Sequence, residues 1–308
     1  MARKRGKHMP VSVEKIPYGG WPNCYRVTNG RIELIATSDV GPRVIRLGFV
    51  GGCNEFAEFQ GQMGLMGGNE WRSYGGHRLW HSPESRSRTY FPDNDPVAVE
   101  IVPQGIELTP NPETNCGVQK SLVLTMDPEK PRVLVEHHLK NVGVWEVEMA
   151  AWCLSVMAPG GVGFAPQAAD TDEEGLLPNR VLALWQYTEM SDPRYSWGSG
   201  LIRLRQDATR PPTKVGMMVT AGWAGYANGS RLFLKQFAYD QDMPYPDGGC
   251  SVELYTDQHM LEVESLSPLQ IVEPGETISQ VEAWSLIDGF SLSAEDGEAI
   301  GQIEKWLE

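Results

Sequence analysis

The sequence predicts an all-β protein, on three observations. The chain of 308 residues contains 33 glycines and 22 prolines, and these turn-forming residues separate short runs of alternating or β-branched residues. Helix signals are scarce, and no alternation of strands with helices supports a parallel α/β fold. No repeat of fixed period and no linker-like tract divides the chain, so we expect one domain over residues 1–308, with 1–15 as a flexible N-terminal arm.

The predicted strands are short runs in which apolar side chains recur at every second position. In 132–139, for example, Val133 and Val135 alternate with Leu134 and Glu136, which is the period of a strand with one buried face. A Gly41-Pro42 turn separates the first two runs. The predicted strands are 31–37, 43–50, 97–102, 121–125, 132–139, 144–157, 201–204, 214–219, 231–237, 251–256, 260–266 and 277–286.

One helix is predicted, close to the C-terminus. Ser293 and Asp296 resemble a capping box, and Ile300, Ile303 and the pair Trp306-Leu307 continue with helical spacing. We expect this short C-terminal helix to pack against the face of a sheet.

Charge and composition exclude several classes of partner. The net charge of −14 disfavours nucleic acid and anionic membranes, which require basic residues. No apolar stretch reaches the roughly 18 residues of a membrane span, and no apolar segment follows the basic N-terminus as in a signal peptide. We therefore expect a cytoplasmic protein.

The five cysteines lack CxxC spacing and are expected to be reduced. The acidic stretch 170–174 is expected to be a solvated loop.

The most informative stretch for function is 74–84. It contains His77, Arg78, Trp80, His81 and Glu84. Gly75-Gly76 before the histidines and Pro83 after them predict a loop. Such residues could donate protons near neutral pH, bind anionic groups and stack on an apolar face. Alternatively, the polar side chains only hold the loop in place by hydrogen bonds. A metal site at the two histidines is the least favoured alternative, because a spacing of four in a loop, without helical geometry, does not place both on one face and also fails the cupin pattern.

A second polar and aromatic stretch, 184–197, contains Tyr187, Asp192 and Arg194. Aromatic rings can cover the C–H face of a pyranose while charged groups bind its hydroxyls. A surface loop anchored by buried aromatic rings explains the pattern equally well.

Late strands supply carboxylates and a lysine. Asp247 precedes the strand that contains Glu253, and period two in 261–264 places Glu262 and Glu264 on the face opposite Leu261 and Val263. Solvent exposure is an alternative for each of these carboxylates.

Lys235 interrupts an aromatic strand and reaches either solvent or a ligand. Because adjacent strand residues face opposite ways, at most one residue of the pair His137-His138 can face a cleft. A structural histidine is the better interpretation.

Taken together, these segments resemble an uncharacterised bacterial family related to the galactose mutarotase-like (aldose 1-epimerase-like) superfamily. The resemblance covers about 32–286 and implies a β-supersandwich of two large, mostly antiparallel sheets with a sugar cleft. The segments that carry it are 39–46, 75–84, 185–194, 245–255, 261–268, 273–276 and 282–284.

The resemblance also implies a chemistry. In this superfamily a histidine acts as general acid on the ring oxygen and a glutamate as general base on the anomeric hydroxyl, without a cofactor. Here His77 or His81 would be the acid and Glu253 or Glu264 the base, with Glu253 preferred. Trp152 falls near the position of the family's second histidine, so the usual acid would be absent.

We therefore expect a small-molecule carbohydrate as partner and an aldose 1-epimerase-like activity, with no cofactor and no metal. The alternatives are non-catalytic carbohydrate binding, and a lyase or hydrolase reaction on a glycoside or uronate. The sequence carries no signal for an oligomeric state. All of these expectations require side chains near 77–84, 187–194 and 253–264 to surround one cavity.

Overall fold

The computed structural model describes residues 10–168 and 175–307, and the acidic stretch 170–174 lies outside them. The described chain is built from strands and two short helices. In chain order these are β1 (Ser12–Tyr18), β2 (Trp21–Thr28), β3 (Ile32–Thr37), β4 (Arg43–Phe49), β5 (Gly76–Ser82), β6 (Ala98–Val102), β7 (Gly105–Thr109), β8 (Val118–Met126), β9 (Arg132–Asn141), β10 (Val147–Met157), β11 (Val162–Pro166), β12 (Leu182–Leu184), β13 (Tyr195–Trp197), β14 (Leu201–Arg205), β15 (Thr213–Met217), β16 (Trp223–Asn228), β17 (Arg231–Phe237), α1 (Pro246–Gly249), β18 (Val252–Thr256), β19 (Leu261–Leu266), β20 (Gln270–Val272), β21 (Thr277–Asp288) and α2 (Asp296–Ile303).

The strands form two antiparallel sheets, which confirms the predicted all-β supersandwich. The large sheet has 11 strands, in the order β1-β2-β3-β4-β5-β10-β19-β18-β15-β12, with β20 paired to β10. The second sheet has 10 strands, in the order β13-β14-β11-β16-β17-β21-β9-β8-β7-β6.

The main hydrophobic core lies between the two sheets. Leu79, Val263 and Leu254 of the large sheet belong to the same buried cluster as Val133 and Leu286 of the second sheet. Each side chain of this kind contributes about 1.5–3 kcal/mol when it is removed from water. Because side chains alternate along a strand, the burial of these residues sends their neighbours to the opposite face of the large sheet.

The stretch 75–83, predicted as a loop, is largely a strand. β5 covers Gly76–Ser82 and is buried throughout, and it pairs with β4 and β10. The glycines mark a close backbone approach at the start of this strand, because a Cβ on Gly76 would lie 2.1 Å from the carbonyl oxygen of Val44. Gly76 also has a φ of +72°, which glycine adopts without the steric cost of a side chain.

The predicted N-terminal arm over 1–15 overlaps a strand and is corrected in part. β1 begins at Ser12 and pairs with β2, since Val13 packs against the main core and Ile16 against Trp21. Residues 1–9 lie outside the described part of the chain.

The predicted C-terminal helix is confirmed. Ala299 and Ile303 of α2 pack with Leu201, Trp223 and Leu232 of the second sheet. The helix begins at Asp296, and no side chain caps its first turn. Among the described residues, no helix has the length and apolarity needed to cross a membrane.

Candidate functional site

A cavity of about 1030 Å³ opens on the face of the large sheet that points away from the second sheet. Its floor consists of the outward side chains of β5, β10, β19 and β15. Loops complete the walls. Its lining residues are Phe59, Trp71, Ser73, Arg78, Trp80, Glu84, Tyr90, Trp152, Leu154, Trp185, Tyr187, Glu189, Pro211, Pro212, Lys214, Tyr255, Asp257, Met260 and Glu262.

One wall of the cavity is a cluster of aromatic rings. The Trp80 ring lies 5.3 Å from Trp71, 5.0 Å from Tyr90 and 5.3 Å from Trp152, measured between ring centroids. The guanidinium of Arg78 lies 4.4 Å from the Trp80 ring centroid. This cluster offers a rigid apolar surface beside a cation.

Arg78 also forms a buried ion pair with Glu262. Its Nη2 donates to Oε1 of Glu262 at 2.9 Å. Burial raises the pKa of the Glu262 carboxyl, and Arg78 partly opposes this shift. Nε and Nη1 of Arg78 are buried with no hydrogen-bond partner among the described residues, so they can donate to a ligand.

Lys214 joins two further carboxylates at the floor of the cavity. Glu253 and Glu264 face each other across β18 and β19, and the Nζ of Lys214 lies 2.6 Å from the first and 3.0 Å from the second. The indole Nε1 of Trp152 donates to Oε2 of Glu264 at 2.7 Å. Lys214 Nζ also lies 4.7 Å from the ring centroids of Trp152 and Trp185.

The charges of this cluster are interdependent. Burial raises the pKa of Glu253 well above its usual range, which Lys214 opposes and Glu264 reinforces. Burial would lower the pKa of Lys214, but the two carboxylates raise it well above its usual value. Lys214 therefore stays protonated at neutral pH.

The structure brings part of the predicted site together. Arg78, Trp80, Glu84 and Tyr187 line the cavity. Glu253 and Glu264 are fully buried; both contact the lining residue Lys214, and Glu264 also accepts a hydrogen bond from the lining residue Trp152.

Three other predicted ligand-binding residues do not line the cavity. Asp192 and Arg194 bond to each other at 2.8 Å, and Arg194 also donates to the carbonyl oxygen of Pro211, which is a wall residue. Asp247 is exposed in the turn that α1 forms. Arg194 can therefore support the cavity wall through Pro211, but it does not line the cavity itself.

The histidines of β5 require a correction, because the structure does not bring them to the cavity. His77, Leu79 and His81 share the inward face of β5, while Arg78 and Trp80 point outward into the cavity. The alternation of a strand causes this separation. His77 and His81 lie across the large sheet from Glu253 and Glu264, so the predicted proton transfer between these groups has no direct route.

Lys235 also points inward, which corrects its predicted ligand role. Its Nζ donates to the carbonyl oxygens of Cys153 at 3.0 Å and Val263 at 3.1 Å, and lies 3.0 Å from Oε1 of Glu282. Both charged groups are fully buried. Lys235 therefore links the two sheets by its hydrogen bonds to β10 and β19, while its ion pair with Glu282 lies within the second sheet.

His77 belongs to the same polar network between the sheets. Its Nε2 lies 2.8 Å from Nε2 of His137, and its Nδ1 lies 2.9 Å from Oγ of Ser155. Nδ1 of His137 lies 2.9 Å from the carbonyl oxygen of Gln280. His137 is the structural histidine that the sequence predicts, and its neighbour His138 is half-buried and bonded to Ser279.

This network predicts a pH dependence of stability. Burial lowers the pKa of His137 to about 4, whereas an unfolded histidine titrates near about 6.5. As pH falls through this window the unfolded state gains a proton that the folded state does not, so stability falls by about 1.4 kcal/mol per pH unit. His137→Gln should remove this contribution to the slope while those of the buried His77 and His81 remain, so its stability deficit should shrink between pH 6.5 and pH 4.

Urea unfolding of both proteins across that pH range measures the effect, with His138→Gln as the matched control. The control should keep the wild-type slope. Parallel pH profiles for wild type and His137→Gln would contradict the assignment of a neutral buried histidine.

Several cavity residues were missed from the sequence. Lys214 and Glu262 lie on predicted strands, and Trp71, Tyr90 and Trp185 lie in loops or turns. The strand alternation in 261–264 could have identified Glu262 as a cavity residue, because it places Glu262 on the same face as Glu264. The order of strands in the sheet, which brings β15 beside β18, has no signal in the sequence.

Comparison with known proteins shows a likeness of structure. No model of a protein family matches the sequence, and no curated protein matches it. The Slr1438 protein of Synechocystis sp. superimposes with a TM-score of 0.58 at 12% identity, over 90% of this chain and 100% of that one. A Klebsiella pneumoniae protein provisionally named an aldose 1-epimerase gives 0.56 at 14% identity, over 96% of this chain and 87% of that one.

A galactose mutarotase-like protein from Lactobacillus casei gives a TM-score of 0.53 at 9% identity, over 86% of this chain and 100% of that one. Three further structures, each described as a mutarotase or as related to galactose mutarotase, match over similar lengths. At these identities the likeness concerns the fold. The chain therefore has the galactose mutarotase-like fold, as its sequence resemblance implies.

Proposed function

We propose that the protein binds a small carbohydrate in the aromatic cavity and catalyses an aldose 1-epimerase-like reaction on it. One observation carries the proposal: a cluster of aromatic rings shares the cavity with Arg78, Lys214 and Glu262. Aromatic faces suit the C–H side of a sugar ring, and charged groups suit its hydroxyls. The volume is at the upper end of the roughly 300–1,000 Å³ typical of small-molecule sites.

The proposed reaction moves protons between the sugar and two side chains. Glu262 removes the proton of the anomeric hydroxyl while the bond from the anomeric carbon to the ring oxygen breaks. Lys214 gives a proton to the ring oxygen, which as an alkoxide is a stronger base than an amine. Closure on the other face of the carbonyl returns both protons and yields the other anomer.

The local electrostatics support these roles. Burial raises the pKa of Glu262, which makes it a stronger base than an ordinary carboxylate. Glu253 and Glu264 keep Lys214 protonated before the reaction and stabilise its position. The two buried glutamates are thus proposed as positioning residues, while Glu262 takes the role of base.

Non-catalytic carbohydrate binding is the second candidate, because no histidine lines the cavity in the part of the chain that the structure describes. This candidate predicts the same sugar binding as the proposed epimerase reaction, but no turnover. A lyase or hydrolase reaction on the same fold is the remaining alternative, and an unsaturated product would identify a lyase by its ultraviolet absorbance.

Trp185 provides a test of binding that leaves the core intact. It is partly exposed and lines the cavity, so Trp185→Ala should weaken the binding of a sugar at least about tenfold, which equals about 1.4 kcal/mol. Isothermal titration calorimetry with a panel of neutral, amino and acidic monosaccharides measures the affinity.

Trp145→Ala is the matched control, because Trp145 is 81% exposed in the turn between β9 and β10. It should bind the same sugars with unchanged affinity. Equal affinities for the wild type and Trp185→Ala would place the bound sugar elsewhere.

A further inference from the structure

A second cluster of side chains combines three types of metal-ligating atom away from the cavity. His81 lies on the inward face of β5, and Glu113 and Cys116 lie in the segment between β7 and β8. One ligand atom from each residue lies within 4.8 Å of the other two. His81 and Glu113 are buried, and Cys116 is half-buried.

The separations of these atoms are close to those around a bound ion. Oε2 of Glu113 lies 3.9 Å from Nδ1 of His81 and 3.3 Å from Sγ of Cys116. Bond lengths to zinc of about 2.0–2.3 Å place neighbouring ligands of a tetrahedral site about 3.3–3.6 Å apart. The separation of His81 from Cys116 is at most 4.8 Å, so a displacement of about an ångström or less would complete the geometry.

His81 also lacks partners that the protein itself could supply. Both of its ring nitrogens are buried without a hydrogen-bond partner in the described residues, and buried polar atoms of this kind are uncommon. The other group with suitable ligand atoms, His77, His137 and Glu282, differs in this respect. Its histidines are already hydrogen-bonded to each other and to Ser155 and Gln280.

Two cationic side chains, Lys120 and Arg88, act on His81 from the surroundings of the cluster. Lys120 contacts Oε1 of Glu113, so Oε2 remains directed at the other two ligands. Burial lowers the pKa of His81 to about 3 and raises that of Cys116 to about 12. The imidazole is therefore neutral, and the thiol is protonated until a cation displaces its proton.

We propose that His81, Glu113 and Cys116 bind one divalent transition-metal ion, Zn²⁺ being the ion that best suits a nitrogen, oxygen and sulfur ligand set. Binding forms a metal–thiolate bond and releases the thiol proton of Cys116 to solvent. The ion would tie the segment 110–117 to β5. Glu113 and Lys120 line a cavity of about 290 Å³, through which an ion can enter.

This site departs from the expectation of no metal, and it does not depend on the proposed sugar chemistry.

Co²⁺ is the probe, because cobalt bound to a thiolate absorbs in the near ultraviolet by charge transfer. The full chain, treated with chelator and titrated with Co²⁺, should develop this band and saturate at one equivalent. Cys116→Ser should lose the band. Cys53→Ser, which changes an exposed cysteine, should keep it.

Circular dichroism establishes that both variants are folded. A wild-type titration without a charge-transfer band would by itself overturn the proposal, whatever the variants do. A band that survives in Cys116→Ser, or that disappears in Cys53→Ser, would also overturn it.

Discussion

Lys214→Met should destabilise the protein by about 3–5 kcal/mol, because it leaves a buried ion cluster without its cation. Glu253 and Glu264 are fully buried and both contact Lys214 Nζ. Burial raises the pKa of Glu253 well above its usual range, so this carboxyl can lose its charge by binding a proton. Folded carboxyls with raised pKa values bind more protons than unfolded ones, so the deficit of the variant should shrink as pH falls from 7 toward 5.

Chemical denaturation at both pH values measures this effect. The control is Lys140→Met, which changes an exposed lysine on β9 and should alter stability by less than about 0.5 kcal/mol. Adding Glu253→Gln to Lys214→Met should recover part of the loss, because one buried charge is removed. A loss below 1 kcal/mol (on the order of a surface pair) would show that the cluster does not depend on its cation.

Glu262→Gln should reduce the acceleration of mutarotation by about 10²–10⁴-fold, the usual contribution of a general base. Gln keeps the size of the side chain and can still accept a hydrogen bond from Arg78, but it cannot take up a proton. The turnover number should therefore fall much more than the affinity for the sugar changes. Polarimetry gives the rate, and calorimetry gives the affinity.

Two further variants make the result specific. Glu262→Asp retains a carboxylate and should recover part of the rate, while Glu100→Gln changes an exposed carboxylate on β6 and should be neutral. If Glu262→Gln kept most of the wild-type rate, Glu262 would not be the base. If both turnover and affinity fell with the melting temperature, its role would be only structural.

Local patterns in the sequence predict much of the fold. The structure confirms the segments 132–139 and 261–264 as parts of β9 and β19. Alternation in the first segment reports its buried face, whereas β19 is buried on both faces and its alternation separates the core side from the cavity side. Strands with other signals were missed. β5 is buried over its whole length, so it shows no polar–apolar alternation, and its flanking glycines are also typical of loops.

The candidate site follows from the sequence only in part, because a site depends on which face each strand presents. Arg78 and Trp80 line the cavity, whereas the sequence groups His77 and His81 with them only by proximity along the chain. In a strand, residues one position apart point in opposite directions. The sequence analysis considers Lys235 as a ligand-binding lysine, but in the structure Lys214 lines the cavity and Lys235 points inward.

NMR spectroscopy of freshly dissolved α-anomers, with and without the protein, tests the proposed function directly. A panel of aldoses, amino sugars and uronic acids covers the chemistry that the cavity can accept. We predict that at least one sugar reaches its anomeric equilibrium faster than the spontaneous rate in the presence of the protein. Spontaneous rates for every sugar in the panel would contradict the assignment of an aldose 1-epimerase-like activity to this cavity.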